Sequence, residues 1–347
     1  MPPLAGWARR WTGTGAGPWP GVGSARGSIL LYVVWTIMLL SLFAVSIGSQ
    51  AIASLNATER LWRDLRANAL ARSALQYALL VLERDESATV DSLSEAWADS
   101  PGIFNEHELA GGTFHLFSQE PSGEKRDGLT DEERHLSLNT TPADILERLF
   151  ERVGGLPPDE AHQAAVSVED WRDADSNPHD GGAEGFYYRA RSAPYDCKDG
   201  PFENVEELLL IRGMTPAAYQ RVAPYVTVYG SGFLNLNTAS PQVLDALGLS
   251  EAGVNGLLAF RAGEDGQAGT GDERRLVSTE TLESELGSFV PKADLALLTR
   301  LSGKKLFGVG ASDFWCTVQA RARRSTGPFV VECVFTRSGE MKLWHER

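Results

Sequence analysis

The chain has 347 residues, and 46 acidic side chains outweigh 32 basic ones to leave a net charge of −14. That balance repels phosphate backbones and anionic lipid and suits divalent cations or protein partners better. The length allows one to three domains, 43% hydrophobic content with nine Trp is ample for a packed core, and three Cys are too few for a disulfide scaffold.

The first segment carries Arg9, Arg10 and Arg26 and no acid. Between Arg26 and Glu59 lie 32 residues without a formal charge, and the first 20, Ser28 to Ile47, are almost all apolar. About 20 such residues rise roughly 30 Å as a helix, enough to cross the hydrocarbon of a bilayer. Within a helix every backbone N–H bonds internally, as lipid demands. Positive charge ahead of a first hydrophobic helix keeps that end cytoplasmic. The rest of the chain, with 28 basic against 45 acidic residues after position 60, then faces outward, into the periplasm of a Gram-negative cell. A secretory signal would place its small-residue cleavage site after a shorter apolar core. Here Gly27 precedes the core, and cleavage between Gly27 and Ser28 would leave the apolar helix on the mature protein. The layout resembles that of prepilins and pseudopilins; an uncleaved anchor fits the same residues.

The pattern then turns amphipathic, with Leu61, Leu65, Leu70, Leu75, Ala78, Leu79 and Leu82 apolar and Arg63, Arg66, Arg72 and Glu83 between them. No Pro or Gly interrupts Ser49 to Glu86, so the membrane helix is predicted to continue as one rod. About 50 residues would span roughly 75 Å. An anchor has no use for such a rod, whereas a subunit that packs its helix into a filament does.

Residues 87–130 mix short helical pieces with one strand, Gly112 to Ser118, and Glu120 to Glu133 reads as a loop. A helical region broken by Pro and Gly runs to about Leu301. Strand character returns at Lys305–Val309, Phe314–Ala320, Phe329–Thr336 and Met341–His345, as antiparallel hairpins. The predicted fold class is α+β. Cys316 and Cys333 fall in neighbouring strands and could pair across them; two buried free thiols fit equally well, and Cys197 is left unpaired.

The helical region contains a repeat. Residues 136–149 (LSLNTTPADILERL) align without gaps on 234–247 (LNLNTASPQVLDAL). In each copy an extended L-x-L-N-T segment leads into a helix whose N-terminus Asn or Thr could cap. A Gly turn and a second helix follow. Glu206–Val222, turning at Gly213, makes a third such unit, and short helix pairs of this kind resemble helix-hairpin-helix units.

The sharpest polar cluster is the run Asp170 to Glu184. Asp173, Asp175, Asn177 and Glu184 occupy positions 1, 3, 5 and 12 of an EF-hand-like count, which offers a hard cation its oxygens. Pro178 stands where an EF-hand turns on Gly, so the reading is a calcium loop of another kind. The competing reading is an acidic surface turn whose side chains cap helices and bond local amides. Helix-hairpin-helix units can present N–H groups to phosphates, which raises the alternative of a membrane-tethered DNA-binding protein. The acidic charge and the lack of a basic stripe argue against nucleic acid. Catalysis has little support: the six His show no H-x-x-x-H spacing, there is no G-x-S-x-G, and His179 reads as a solvated residue.

The D-W-R-D-A-D turn at 170–175, G-A-E at 182–184, Tyr187-Tyr188, P-F-x-x-V-E-E-L at 201–208, I-R-G-M-T-P-x-x-Y at 211–219, P-Y-V at 224–226 and L-N-x-N-T-A-S at 234–240, together with the N-terminal layout, resemble the type II secretion minor pseudopilin K family over roughly residues 27–345. The resemblance implies a pilin-like long helix and antiparallel sheet with a large inserted helical domain. It divides the chain into a cleaved leader (1–27), a transmembrane helix (28–48), the periplasmic part of the long helix (49–86), a first pilin-like part (87–124), the inserted domain (125–301) and closing strands (302–347). It implies a non-enzymatic subunit, cleaved and N-methylated by a prepilin peptidase at Gly27–Ser28. Minor pseudopilins I and J, the major pseudopilin and the inner-membrane assembly platform would be its partners, at the tip of a pseudopilus that serves protein export. It also implies calcium, with Asp173, Asp175 and Glu184 carried over and Asn177 beside them. Most pilins keep a Glu five residues into the mature chain, where it neutralises a neighbour's terminal amine in lipid, an environment in which a bare charge is costly. Here that position is Tyr32, which suits a tip subunit with no neighbour above it; a residue that simply faces lipid or a neighbouring helix reads the same way.

Overall fold

The computed structural model describes residues 28–85, 87–109, 111–266, 272–323, 325 and 327–347. The predicted processing residue Gly27 lies outside them. The chain divides into two compact units, Met1–Leu61 and Trp62–Arg347.

Helix α1 is a single element, Ser28–Glu83, of 56 residues. Its only glycine, Gly48, has open space around it. Every described side chain from Ile29 to Trp62 is exposed, including Tyr32, and the helix is long and apolar enough to cross a membrane. A helix apolar all round has no home in water. From Ala67 the apolar positions narrow to one face: Ala67, Leu70, Ala71, Ala74, Leu75, Ala78 and Leu82 are buried at spacings of three and four. The alanines on that face let the backbone come close to the sheet beneath. Gly112 shows how close, since a Cβ there would lie 2.7 Å from Leu70 Cδ1 and 2.1 Å from the Arg321 carbonyl.

The second unit continues with α2 (Pro101–Phe104), β1 (His107–Leu109), β2 (Gly112–Gln119), β3 (Lys125–Arg126) and β4 (Thr130–Asp131). A helical region follows: β5 (Leu136–Ser137), α3 (Ala143–Arg152), α4 (Pro158–Arg172), α5 (Gly185–Arg189), α6 (Pro216–Val222), β6 (Val226–Thr227), β7 (Leu234–Asn235), α7 (Pro241–Ala246), α8 (Glu251–Arg261), α9 (Leu282–Leu286), α10 (Lys292–Gly303) and β8 (Phe307–Gly308). The chain closes with β9 (Asp313–Ala322), β10 (Phe329–Thr336) and β11 (Met341–Glu346). The main sheet runs β1-β2-β9-β10-β11, with β3 on β2 and β4 on β9, all antiparallel. Strands β4 and β9 are neighbours in space, so the helical region is an insertion into one sheet. The α+β architecture predicted from the sequence is therefore present.

Two expectations are corrected. The stretch read as a loop, Glu120 to Glu133, holds β3, β4 and a 3-10 turn at Glu132–Arg134. These are two-residue pairings too short for any periodicity to announce: Arg126 folds back on Ser118 in a tight hairpin, and Thr130 is held by the distant Trp315. The strand expected at Lys305–Val309 shrinks to β8, which leaves the main sheet to pair in parallel with β7.

The repeat is real in three dimensions, and its polar residues do other work than capping. β5 pairs in parallel with β6, as β7 does with β8. Asn139 bonds both the N–H (2.7 Å) and the carbonyl (3.0 Å) of Phe202; Asn237 bonds the N–H (2.8 Å) and carbonyl (3.0 Å) of Leu276. The helices are capped by others: Glu169 of α4 accepts from Ala143 N at 2.9 Å, and Ser240 accepts from Val243 N. The second helix of each copy ends in an arginine that spans the turn. Arg172 donates to the carbonyls of Leu138 (2.6 Å) and Thr141 (3.0 Å), and Arg261 to the aligned carbonyls of Leu236 (3.3 Å) and Ala239 (2.8 Å). The third unit departs from the expected helix pair, because it opens with a 3-10 turn, Val205–Leu210, before Gly213 (φ +85°) and α6.

Two hydrophobic cores result. One joins α1 to the main sheet through Phe114, Leu116, Phe314, Cys316, Val318, Val331, Cys333 and Phe335. The other fills the insertion around Leu146, Leu149, Phe150, Tyr188, Leu244 and Leu298. Cys316, Cys333 and Cys197 are buried free thiols, the first two in one core and the third in the other.

Candidate metal centre

The acidic run starts in the last turn of α4, where three consecutive residues take three directions. Asp170 is fully buried. Trp171 fills the insertion core, its ring 5.3 Å from Tyr188, and its indole N–H donates to Glu207 Oε2 at 3.0 Å. Arg172 turns to the repeat carbonyls described above. Helix geometry spreads successive side chains by about 100°, so D-W-R serves a site, a core and a turn at once.

Beyond α4 the backbone is held by its own side chains. Asp173 Oδ1 accepts from Asp175 N at 3.1 Å, and Asp175 Oδ1 accepts from Asn177 N at 2.7 Å. These successive Asx turns curl the loop back towards Gly182 and Glu184. At Gly182 a Cβ would sit 1.9 Å from Asp170 Oδ2, so the loop passes over the aspartate only without a side chain there. Arg212 anchors the return by donating to the Gly182 carbonyl at 2.9 Å.

Asp173, Asp175 and Glu184 each bring a carboxylate oxygen within 4.8 Å of the others. Cation–oxygen distances of about 2.3–2.6 Å around calcium place ligand atoms at that kind of separation. Glu184 is 5% exposed, and neither of its oxygens has a hydrogen-bond partner; Asp170 Oδ2 is also buried and unpartnered. Burial, then the charges of Asp170, Asp173 and Asp199, push the Glu184 carboxyl above its usual range. A buried carboxylate with no donor is costly unless a charge compensates it. The residues present therefore fit a hard, oxygen-seeking cation.

Asn177 enters through its main-chain N–H to Asp175. His179 is exposed, as expected of a solvated residue, and is also tied to the loop: its Nδ1 lies 2.5 Å from Asp170 Oδ1, and its main-chain N–H donates to the same oxygen at 3.0 Å. That bond to Asp170 raises the imidazole pKa above its ordinary value. Two nearby residues were missed. Asp199 and Cys197 place ligand atoms within 4.8 Å of Glu184, and Asp199 has φ +47°. Burial pushes the Cys197 thiol up to about 12, so it stays protonated. Asp199 is brought in by the segment that Asn139 clamps at Phe202, a link no spacing rule contains. Among the predicted processing and assembly positions, Ser28 opens α1 and Tyr32 lies exposed on it.

Arg212 and Arg261, at the ends of two of the helix-hairpin-helix-like stretches, are already engaged. Arg212 bonds Gly182 and lies 4.8 Å over the Tyr187 ring; Arg261 is buried on its carbonyls.

A membrane-length helix that becomes amphipathic, an antiparallel sheet and a large helical insertion define a pilin-like fold of enlarged form. Residues 122–231 match the family model of type II secretion system (T2SS), protein K. The type II secretion system protein K of Klebsiella pneumoniae is 29% identical over 233 residues, covering 62% of this chain and 67% of its own. That of Aeromonas hydrophila is 26% identical over 243 residues, 66% of this chain and 72% of its own. In fold, the chain is similar to a chain in the crystal structure of the GspK-GspI-GspJ complex from the enterotoxigenic Escherichia coli Type 2 Secretion System. The TM-score is 0.58 and the identity 19%, over 86% of this chain and 97% of that one. The resemblance read from the sequence is matched by these comparisons: the chain is similar to type II secretion system protein K, and the matches support a minor pseudopilin role.

Proposed function

We propose that the chain is a non-catalytic tip subunit of a type II secretion pseudopilus. It assembles with minor pseudopilins I and J, is processed by a prepilin peptidase at Gly27–Ser28, and stands on the inner membrane with its bulk in the periplasm. The single observation that carries this reading is the insertion between β4 and β9. The pilin-like sheet is complete on both sides of it, yet it is loaded with a second, separate core. Such bulk suits a subunit that starts and caps a filament and is a poor fit for one stacked repeatedly within it. The solved complex of relatives supports I and J as partners, and Arg9, Arg10 and Arg26 support the orientation. Engagement of Arg212 and Arg261 speaks against a phosphate-binding role.

A calcium ion held by Asp173, Asp175 and Glu184, with Asp199 beside them, belongs to this reading. When bound it would supply charge compensation and no chemistry. The protein's own groups orient the loop: Asp175 and Asn177 through their N–H groups, Arg212 through Gly182, and Asn139 through Phe202 on the return.

The test is co-purification of this chain with pseudopilins I and J from the same genome, with light scattering to count subunits. A stoichiometric ternary complex supports the tip reading. Monomeric behaviour beside intact partners in both calcium and chelator overturns it. A variant without residues 138–306 that still forms a normal tip complex would remove the capping role.

A further inference from the structure

We propose that Cys316 and Cys333 are joined in the mature protein by a cross-strand disulfide, a covalent modification that staples β9 to β10. The two residues oppose each other in the antiparallel register of these strands. Their sulfurs lie 3.5 Å apart and both are fully buried. Each thiol has the other as its side-chain partner, and Cys333 Sγ also lies 3.5 Å from the Cys316 carbonyl. Directly opposed residues on paired strands hold their Cβ atoms about 4.5–5.5 Å apart. A disulfide needs about 3.5–4.5 Å. Closure therefore asks for rotation about χ1 and a small approach, with no change of register. Cys197 sits in the other core, so only one intramolecular pairing is available.

The inference rests on the periplasmic placement proposed above, because that compartment is oxidising. The reaction is two thiol–disulfide exchanges with a disulfide oxidant. One cysteine thiolate attacks the oxidant's disulfide and expels a thiolate. The second cysteine thiolate then attacks the mixed disulfide, expels the other oxidant thiolate and leaves the Cys316–Cys333 bond. Two electrons pass to the oxidant, and the two cysteine protons go to solvent. In the finished sheet, the bond from Cys333 and then burial hold the Cys316 thiol well above its ordinary range. Thiolate is the attacking species, so the exchange belongs to folding, before β10 closes on β9. The bond then lies in the core that joins α1 to the sheet.

The full-length chain, expressed in a Gram-negative host, is denatured in excess iodoacetamide without reductant and weighed intact. The expected result is one adduct, on Cys197, rising to three after reduction. In Cys316→Ser two adducts are expected. Reductant should lower the Tm of the parent and leave that of the Cys316→Ser/Cys333→Ser variant unmoved. Protease treatment of spheroplasts from the same cells reports placement. Digestion together with three unreduced adducts overturns the disulfide while sparing the orientation. Protection of the domain overturns the orientation and, with it, the bond in the cell. Refolding of the purified chain with reduced and oxidised glutathione then judges the geometry alone, and three adducts after it would overturn that as well.

Discussion

Asn235 donates to Asp131 across 2.8 Å, and both side chains are buried. Asn235 belongs to β7 in the insertion and Asp131 to β4 in the pilin-like sheet, so this bond crosses the seam between the two cores. Thr238 Oγ1 adds a second donor to the same oxygen at 2.6 Å, and Glu133 N bonds the other oxygen at 2.7 Å. Asn235 also reaches the Asp91 carbonyl at 3.1 Å. Asn235→Ala leaves Asp131 its Thr238 donor but takes this donor from the Asp91 carbonyl and the acceptor from the buried Asn237 N–H at 3.0 Å, and an orphaned buried group costs about 1–3 kcal/mol. The expected outcome is a urea midpoint lowered by that amount in free energy with the slope unchanged. A midpoint equal to the parent's would show that the seam is held elsewhere.

Acids beside this seam set a pH dependence. Burial raises Glu95 to about 7 and Asp91 to about 6, against the pull of Trp97 on the first and Arg337 on the second. A folded pKa above the unfolded one means the native state holds more protons between the two values, so this contribution is complete below about pH 4.5 and is lost as pH rises through 6 and 7. Glu120 has the opposite sign: burial works to raise it, but Arg134 at 2.6 Å holds it below the usual range, and its contribution is lost in acid. Thermal stability should therefore fall from pH 5 to pH 8. Glu95→Gln should flatten that limb; an unchanged slope would contradict the assignment.

Glu184→Gln separates a cation site from an acidic turn. Neutralising an unpartnered buried carboxylate should stabilise the chain in chelator by about 1 kcal/mol, since an unpaired buried charge carries an uncompensated desolvation cost. The same change should abolish the response to calcium. In the parent, calcium at a hundredfold excess over its Kd should add about 2.7 kcal/mol. Calorimetry of both proteins with and without calcium reads both effects, and equal melting of the parent in the two conditions would refute the site.

Arg172 and Arg261 perform one task in the two copies of the repeat. Replacement of Arg261 by Ala should cost about 1.5–3 kcal/mol, the range for a hydrogen bond to a charged group. Its burial, which lowers its pKa to about 10, still leaves it charged at neutral pH. Arg261→Lys should recover part of this, because one ammonium cannot reproduce the planar spread of donors. Denaturant titration distinguishes the variants, and equal stability of Ala and Lys would contradict the expected partial recovery by a single ammonium.

Much of the molecule was legible in the residues. The α1 helix is written in an uncharged run followed by three- and four-residue apolar spacing, β2 in alternation, and β10 in strand-forming residues between turn signals. The repeat showed as identity at a fixed offset, and D-x-D-x-N marked the loop. What spacing could not show were contacts made across the chain. β4 and β8 exist only because Trp315 and Leu234 lie opposite them. The reading of Asn139 and Asn237 as caps followed from their place before a helix, but each amide found a distant backbone to bond.

By itself, then, the sequence determined the membrane-length helix, the α+β composition and the acidic loop. All of these rest on local periodicity or on neighbours within a dozen residues. Only the tertiary structure decided that Glu184 is buried without a donor, that Asp199 joins it, and that Cys316 faces Cys333. It also decided that Asn235 ties the insertion to the sheet. Burial and hydrogen-bond partnership depend on which distant surfaces meet, and one-dimensional spacing carries no distance between them.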